Sequence, residues 1–248
     1  MNQIRHYLCS SLLLVSLSSI SSAAINQFNL TLLDYSFLDT RSISGLQGDE
    51  VGSFTSASLS NQQYINFANS SGGINQFNLT LPSLDYSFIG TRSISGLQGD
   101  EVGSFTSAAT NTVQYINFAN SSGGINQFDL SSGVYSFAGT RTISGLQGDE
   151  VGSFTSASLG DQQYINFANS SGGVNQFNLS GGVYSFVGTR TISNLQGDET
   201  SVNLFTSAAN TIEQYIDFAV VPESAMSPAL LGGLALIACV SRRKNRTC

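Results

Sequence analysis

The sequence predicts an all-β body built from one unit written four times, flanked by two targeting segments. Three observations carry this. The 248-residue chain repeats itself at a spacing of 49 to 51 residues: Ile-Asn-Gln-Phe or Val-Asn-Gln-Phe begins at Ile25, Ile74, Ile125 and Val174. Inside each repeat, short aromatic and β-branched runs alternate with Gly, Asn, Asp and Ser, which is strand-and-turn punctuation. No stretch of the body sustains a 3.6-residue apolar period, so helix is not expected there.

The elements can be justified in order on the third unit. Ile125 to Leu130 reads as a strand, with Ser131-Ser132-Gly133 as its turn. Val134 to Ala138 is the second strand, and Thr140 to Leu146 continues it or forms another. Gln147-Gly148-Asp149-Glu150 is a turn, and Val151 to Ala157 is the third strand. Tyr164 to Ala168 is the fourth, closed by Asn169 to Gly173. Gly-Leu-Gln-Gly-Asp-Glu-Val-Gly-Ser-Phe-Thr-Ser-Ala occurs unchanged from Gly45, Gly96 and Gly145; the fourth copy, from Asn194, is altered. Two-residue length differences fall between Leu79 and Tyr86 and after Glu199, which marks both places as exposed loops. Units 25–73, 74–124, 125–173 and 174–220 follow. About four strands in about 50 residues is the size of a propeller blade; a β-solenoid or tandem β-sandwiches would carry the same pattern. The Gly-Gly pair followed by an aromatic strand also resembles a kelch repeat, without the kelch Trp.

Composition narrows function. Charged residues are 10% of the chain and its net charge is −7. Residues 25–221 hold four basic residues against fifteen acids, a net −11, which disfavours partners that present phosphates, nucleic acid included. Cys9, Cys239, Cys248 and His6 all lie in the terminal segments, so the body has neither a disulfide framework nor a Cys/His metal site.

The ends read as addresses. Residues 1–24 have a basic start at Arg5, an apolar stretch from Leu8 to Ile20 and small residues Ser22-Ala23-Ala24: a secretory signal peptide, served by the Sec translocon and signal peptidase. At residues 221–248, Val221-Pro222-Glu223-Ser224 precedes an apolar run from Pro228 to Val240. A basic tail with Arg242, Arg243, Lys244 and Arg246 follows. The run is marginal for a stable membrane span and adequate for a transient one. The tail would stay cytoplasmic.

This three-part end resembles the PEP-CTERM sorting signal of Gram-negative bacteria, with Ser224 where that family carries a second proline. The resemblance implies recognition by an exosortase-like protease, removal of the tail after transient inner-membrane anchoring, and delivery to the cell surface or extracellular matrix.

Candidate chemistry within the body recurs once per unit. The Asp-Glu pairs are Asp49/Glu50, Asp100/Glu101, Asp149/Glu150 and Asp198/Glu199. A hard cation such as calcium suits carboxylates, but a polar turn suits Gln-Gly-Asp-Glu equally. Neighbouring strand residues face opposite ways, so the two acids of a pair are not expected to converge. Four near-identical settings also argue against catalysis, which needs one differentiated site. Arg41, Arg92, Arg141 and Arg190 each precede an acid pair by eight residues, and an ion pair between them is expected. An arginine left free in so acidic a body could instead bind a carboxylated sugar. The phenylalanines are core candidates, and exposed tyrosines could stack on sugar rings. Asn-Ser-Ser at Asn69, Asn120 and Asn169 is expected to be a turn. The function expected is therefore a non-enzymatic exported structural or adhesive repeat protein without a cofactor; the alternatives are a multivalent polysaccharide-binding module and an extracellular hydrolase.

Overall fold

The computed structural model describes residues 23–220 apart from 60–61, 81–82, 200–204 and 210–212. Every regular element there is a strand. The first unit supplies β1 (Ala23–Thr31), β2 (Asp34–Ser44), β3 (Glu50–Leu59) and β4 (Gln62–Asn69); the second, β5 (Ile74–Thr80), β6 (Asp85–Ser95), β7 (Glu101–Ala109) and β8 (Gln114–Asn120). The third supplies β9 (Ile125–Ser131), β10 (Val134–Ser144), β11 (Glu150–Leu159) and β12 (Gln162–Asn169); the fourth, β13 (Val174–Ser180), β14 (Val183–Ser193), β15 (Phe205–Ala209) and β16 (Gln214–Ala219).

The strands form a closed four-bladed propeller. Each blade is an antiparallel meander that begins in one unit and ends in the next: β3-β4-β5-β6, β7-β8-β9-β10 and β11-β12-β13-β14. The fourth, β15-β16-β1-β2, joins the two ends of the chain. There Ile25 to Asn29 pair with Ala219 to Tyr215, in the register that pairs Ile74 to Asn78 with Ala68 to Tyr64 inside the first blade. Closure removes the open edges that a solenoid would leave. The expected solenoid and tandem-sandwich alternatives are thereby excluded, and the blade is out of phase with the sequence unit.

The innermost strands β3, β7, β11 and β15 pack around the axis. Their hydroxyls close a ring of side-chain hydrogen bonds: Thr55 with Ser107 at 2.7 Å, Thr106 with Ser156 at 2.5 Å, Thr155 with Ser207, and Thr206 with Ser56 at 2.5 Å. The space they enclose is about 10 Å³, room for about one water. At the start of three of these strands, Val-Gly-Ser forms a bulge in which Gly52, Gly103 and Gly152 hold φ near +74°. At the rim the outermost strands join neighbouring blades by short parallel pairings, β2 to β6, β6 to β10, β10 to β14 and β14 back to β2.

Alternation along the strands gives each blade two unlike faces. One carries a row of phenylalanines in tilted or edge-to-face contact, as in Phe54–Phe67–Phe77–Phe88, with centroids 5.4–6.1 Å apart. The other carries buried amides such as Asn66 and Gln76 beside Ile74. The aromatic face of one blade packs on the amide face of its neighbour, so Ile74 clusters with Phe105, Ile116, Phe128 and Tyr135. The core is thus distributed over four blade interfaces, and the fully buried phenylalanines and Tyr35, Tyr86, Tyr135 and Tyr184 confirm the aromatic core expected.

Candidate functional site: acidic turns and inter-blade clefts

The Asp-Glu pairs sit where the chain returns from rim to axis. Asp49 lies in the loop and Glu50 begins β3, so strand alternation does not separate them. Contrary to the expectation from sequence, both carboxylates converge on one group. The Asn75 amide donates to Asp49 Oδ1 at 2.7 Å and Glu50 Oε1 at 3.1 Å. Asn126 does the same with Asp100 and Glu101, Asn175 with Asp149 and Glu150, and Asn26 with Asp198 and Glu199. Each Glu also accepts two backbone N–H bonds; Glu50 takes those of Gln47 and Gly48 at 2.8 Å. The four turns are therefore junctions between successive units. Burial alone would raise the Glu101, Glu150 and Glu199 carboxyls, but these N–H and amide donors outweigh it and hold them below the ordinary value. No group of three or more His, Cys, Asp or Glu among the described residues is arranged to hold a metal ion.

The arginines do not reach these acids, and the expected pairing is corrected. Arg41 Nη1 bonds Asp39 at 3.0 Å, two residues away on the same strand. Arg41, Arg92, Arg141 and Arg190 each donate to a glutamine oxygen on the adjacent strand: Gln27, Gln76, Gln127 and Gln176. Register explains this. Antiparallel pairing places each Arg directly opposite the first residue of the Asn-Gln strand, such as Arg92 against Ile74. Arg92 is thus on the face of the strand that carries Gln76, whereas Thr91, opposite the Asn75 that holds Asp49 and Glu50, is on the other.

Sequence reasoning missed those glutamines and their neighbouring amides. Gln27, Gln76, Gln127 and Gln176 are buried, and each donates across a blade interface to Gln63, Gln114, Gln163 and Gln214 respectively, at 2.6–3.1 Å. Asn66, Asn117 and Asn166 donate to the axial hydroxyls of Ser107, Ser156 and Ser207 at 2.9–3.0 Å. The available signal was the recurrence of Asn and Gln at fixed places inside strands, where polar residues are costly unless hydrogen-bonded. Asn69 is a turn residue as expected: its Oδ1 accepts from Ser71 and Gly73, and it is buried.

An open cleft of about 430 Å³ lies between neighbouring blades at the rim, bounded by the Asn69–Gly73 turn, by Thr91 to Ile94 on β6, and by Gly133 of the next outer hairpin. Arg92, Asn69, Ser71 and Ser93 line it with polar groups and Ile94 with an apolar one. The neighbouring junctions repeat the same backbone contact, Thr142 N–H to Gly182 O, Thr191 N–H to Leu33 O and Ser42 N–H to Leu84 O. Leucine replaces glycine at the last two.

The motif Val221 to Ser224 and the tail residues Arg242, Arg243, Lys244 and Arg246 lie outside the described residues, as do residues 1–22. Among the described residues, no helix is long and apolar enough to cross a membrane. No family model and no curated protein matches the chain. Among solved structures it is similar to the WD40 domain of SCAP from fission yeast, at 12% identity over 73% of this chain and 43% of that one, TM-score 0.29. It is also similar to AofleA from Arthrobotrys oligospora, at 9% identity over 68% of this chain and 50% of that one, TM-score 0.31. The chain thus spans half or less of the length of each.

Proposed function

We propose that the chain is an exported repeat protein displayed at the cell surface or in the extracellular matrix, where its propeller acts as a structural or adhesive module rather than an enzyme. The observation that carries this is the equivalence of the four junctions. Each acidic turn makes the same bonds to the next unit's Asn, so no junction is differentiated as a catalytic centre requires. The terminal segments supply the address. Cleavage after Ala24 would keep the pairing of Ile25 to Asn29 with Ala219 to Tyr215 and would give up the first two residues of β1 with the Val220 N–H bond to Ala24 O. An exosortase-like protease acting near Ser224 would leave β16 intact.

A second reading, a multivalent polysaccharide-binding module, is favoured by the inter-blade cleft. Its guanidinium, amide and hydroxyl groups beside an apolar residue suit a sugar ring, and the unit repetition would supply avidity.

The export reading is tested by fractionating cells that make the whole chain or a chain ending at Val220, and weighing the recovered protein. The expected species lacks residues 1–24 and the segment after about Ser224. A 26.2 kDa full-length protein recovered from the medium would overturn both cleavages.

A further inference from the structure

The rim arginine of the first unit differs from the other three. In the first unit, Asp39 supplies a carboxylate 3.0 Å from Arg41 Nη1, and Arg41 is buried. At the same place the other units carry Gly90, Gly139 and Gly188, each with φ between +141° and +148°. A side-chain carbon there would meet the Nη1 of Arg92, Arg141 or Arg190 at 3.0–3.3 Å, and no atom outside that arginine lies within 4 Å. These three arginines are half-exposed. Among the described residues none makes an ion pair, although the Asp129 carboxylate lies near enough to Arg141 to feel its charge. Nη1 of Arg92 and Arg141 makes no hydrogen bond there, and that of Arg190 makes only a 3.5 Å contact with Thr189 O. Each guanidinium is nonetheless held in place by its buried glutamine through Nε or Nη2.

We propose that Gly90–Arg92, Gly139–Arg141 and Gly188–Arg190 are three equivalent receptors for the carboxylate of an acidic sugar, a uronate, and that Asp39 fills the fourth from within the chain. The proposal rests on the polysaccharide-binding reading and names its ligand class. The carboxylate takes the place that Asp39 shows to be favourable, making a charge-assisted hydrogen bond to Nη1. Around Arg92, the Ser71 and Ser93 side chains offer partners for ring hydroxyls, and Ile94 an apolar contact for the C–H face. The body's net charge of −11 disfavours distant anions, but screening confines that repulsion to about 10 Å at ordinary salt.

Calorimetric titration of the full chain with trigalacturonate, galactotriose and a Glu-rich peptide tests this. Expected are three uronate equivalents, about 10- to 100-fold preference over the neutral trisaccharide, and no comparable binding of the peptide. Arg92→Gln, Arg141→Gln and Arg190→Gln together should abolish uronate binding. Asp39→Gly should raise the stoichiometry from three to four without disturbing the other sites. Equal binding of charged and neutral sugars, or of the acidic peptide, would overturn the uronate assignment while leaving the module a binder. Binding that survives the triple arginine variant, or an Asp39→Gly stoichiometry that stays at three, would overturn the placement. Failure of every sugar to bind would remove the polysaccharide reading with it.

Discussion

Asp217, like Asp129, stands at a position that the other units fill with asparagine. Asn66, Asn117 and Asn166 each donate to an axial serine, and the homologous serine for Asp217 is Ser56. An ionised carboxylate has no proton to donate; Ser56 keeps the bond to Thr206 that each axial serine makes to a threonine, and Asp217 Oδ2 makes no hydrogen bond. Burial pushes the Asp217 carboxyl up to about 6; Ser56, the Gln27 amide at 3.0 Å and Arg41 offset it only in part. The titratable groups facing this seam are Arg41, with its partner Asp39, on β2, Tyr86 on β6 and Tyr215 on β16. A folded acid whose pKa is raised binds more protons than the unfolded chain, so the seam is weakest above about pH 6 and strengthens as pH falls toward 4. Protonated, Asp217 regains the donor that asparagine has. Asp217→Asn should therefore stabilise the protein at pH 7 by about 1–3 kcal/mol and flatten its stability between pH 5 and 7. Urea denaturation midpoints of both proteins across that range check this. Asp129, also raised by burial, pushes in the same direction in both, so the difference between them isolates Asp217. A variant less stable than its parent at pH 7 would show that the carboxylate is needed at the seam.

At the scale of the element, the acidic turn is the joint that fixes the chain entering a blade to that blade's third strand. Glu101 accepts from Gln98 N–H at 2.8 Å, Gly99 N–H at 2.9 Å and the Asn126 amide at 3.1 Å. Glu101→Ala should cost about 1–2 kcal/mol by leaving those donors unmade. Because its carboxyl is held below the ordinary value, its contribution is complete at neutral pH and is lost only as pH falls below about 4.5. Thermal melts at pH 7 and pH 3.5 should show a gap between the two proteins that narrows in acid. The strands that meet at these turns were readable from sequence, because aromatic and β-branched runs between Gly and Asn report a local preference. Val134–Ala138 and Thr140–Ser144 form the single strand β10, which carries Gly139 at a bulge, while Gly145 and Leu146 of the expected strand fall in the loop after it. The convergence of Asp and Glu on Asn126 was not readable, since it joins residues 25 and 26 apart across a turn. Nor was the arginine's glutamine partner, which depends on the pairing register. The glycines two residues before those arginines look like ordinary loop residues until the strand is seen to run through them.

At the scale of the molecule, a repeat reveals its period but not its phase, because every cyclic shift of the unit has the same spacing. Phase and closure are decided by Ile25–Asn29 meeting Tyr215–Ala219, a contact between the two ends of the body. This has a direct consequence for what folds alone. Residues 25–73 contain the hairpins β1-β2 and β3-β4, which belong to different blades and do not pair with each other. Two-stranded pieces are marginal in water, and each blade buries its phenylalanine row only against a neighbour. That isolated unit should therefore be largely unfolded. A circular permutant should fold. Linking Ala219 to Ile25 through a copy of the Asn69–Gly73 turn, and opening the chain between Gly45 and Leu46, keeps every strand-to-strand pairing and gives up only the pairs of Ala23 and Ala24 with β2. It also makes the seam covalent in the register that β4 and β5 already use. Its loop-closure cost is removed from folding, so it should melt cooperatively at or above the parent's midpoint, with no free strand edge to drive aggregation. Circular dichroism melts and size-exclusion profiles of the parent, the isolated unit and the permutant decide. A single unit that melts as sharply as the whole chain, or a permutant that aggregates where the parent does not, would mean that the ring is not the cooperative unit.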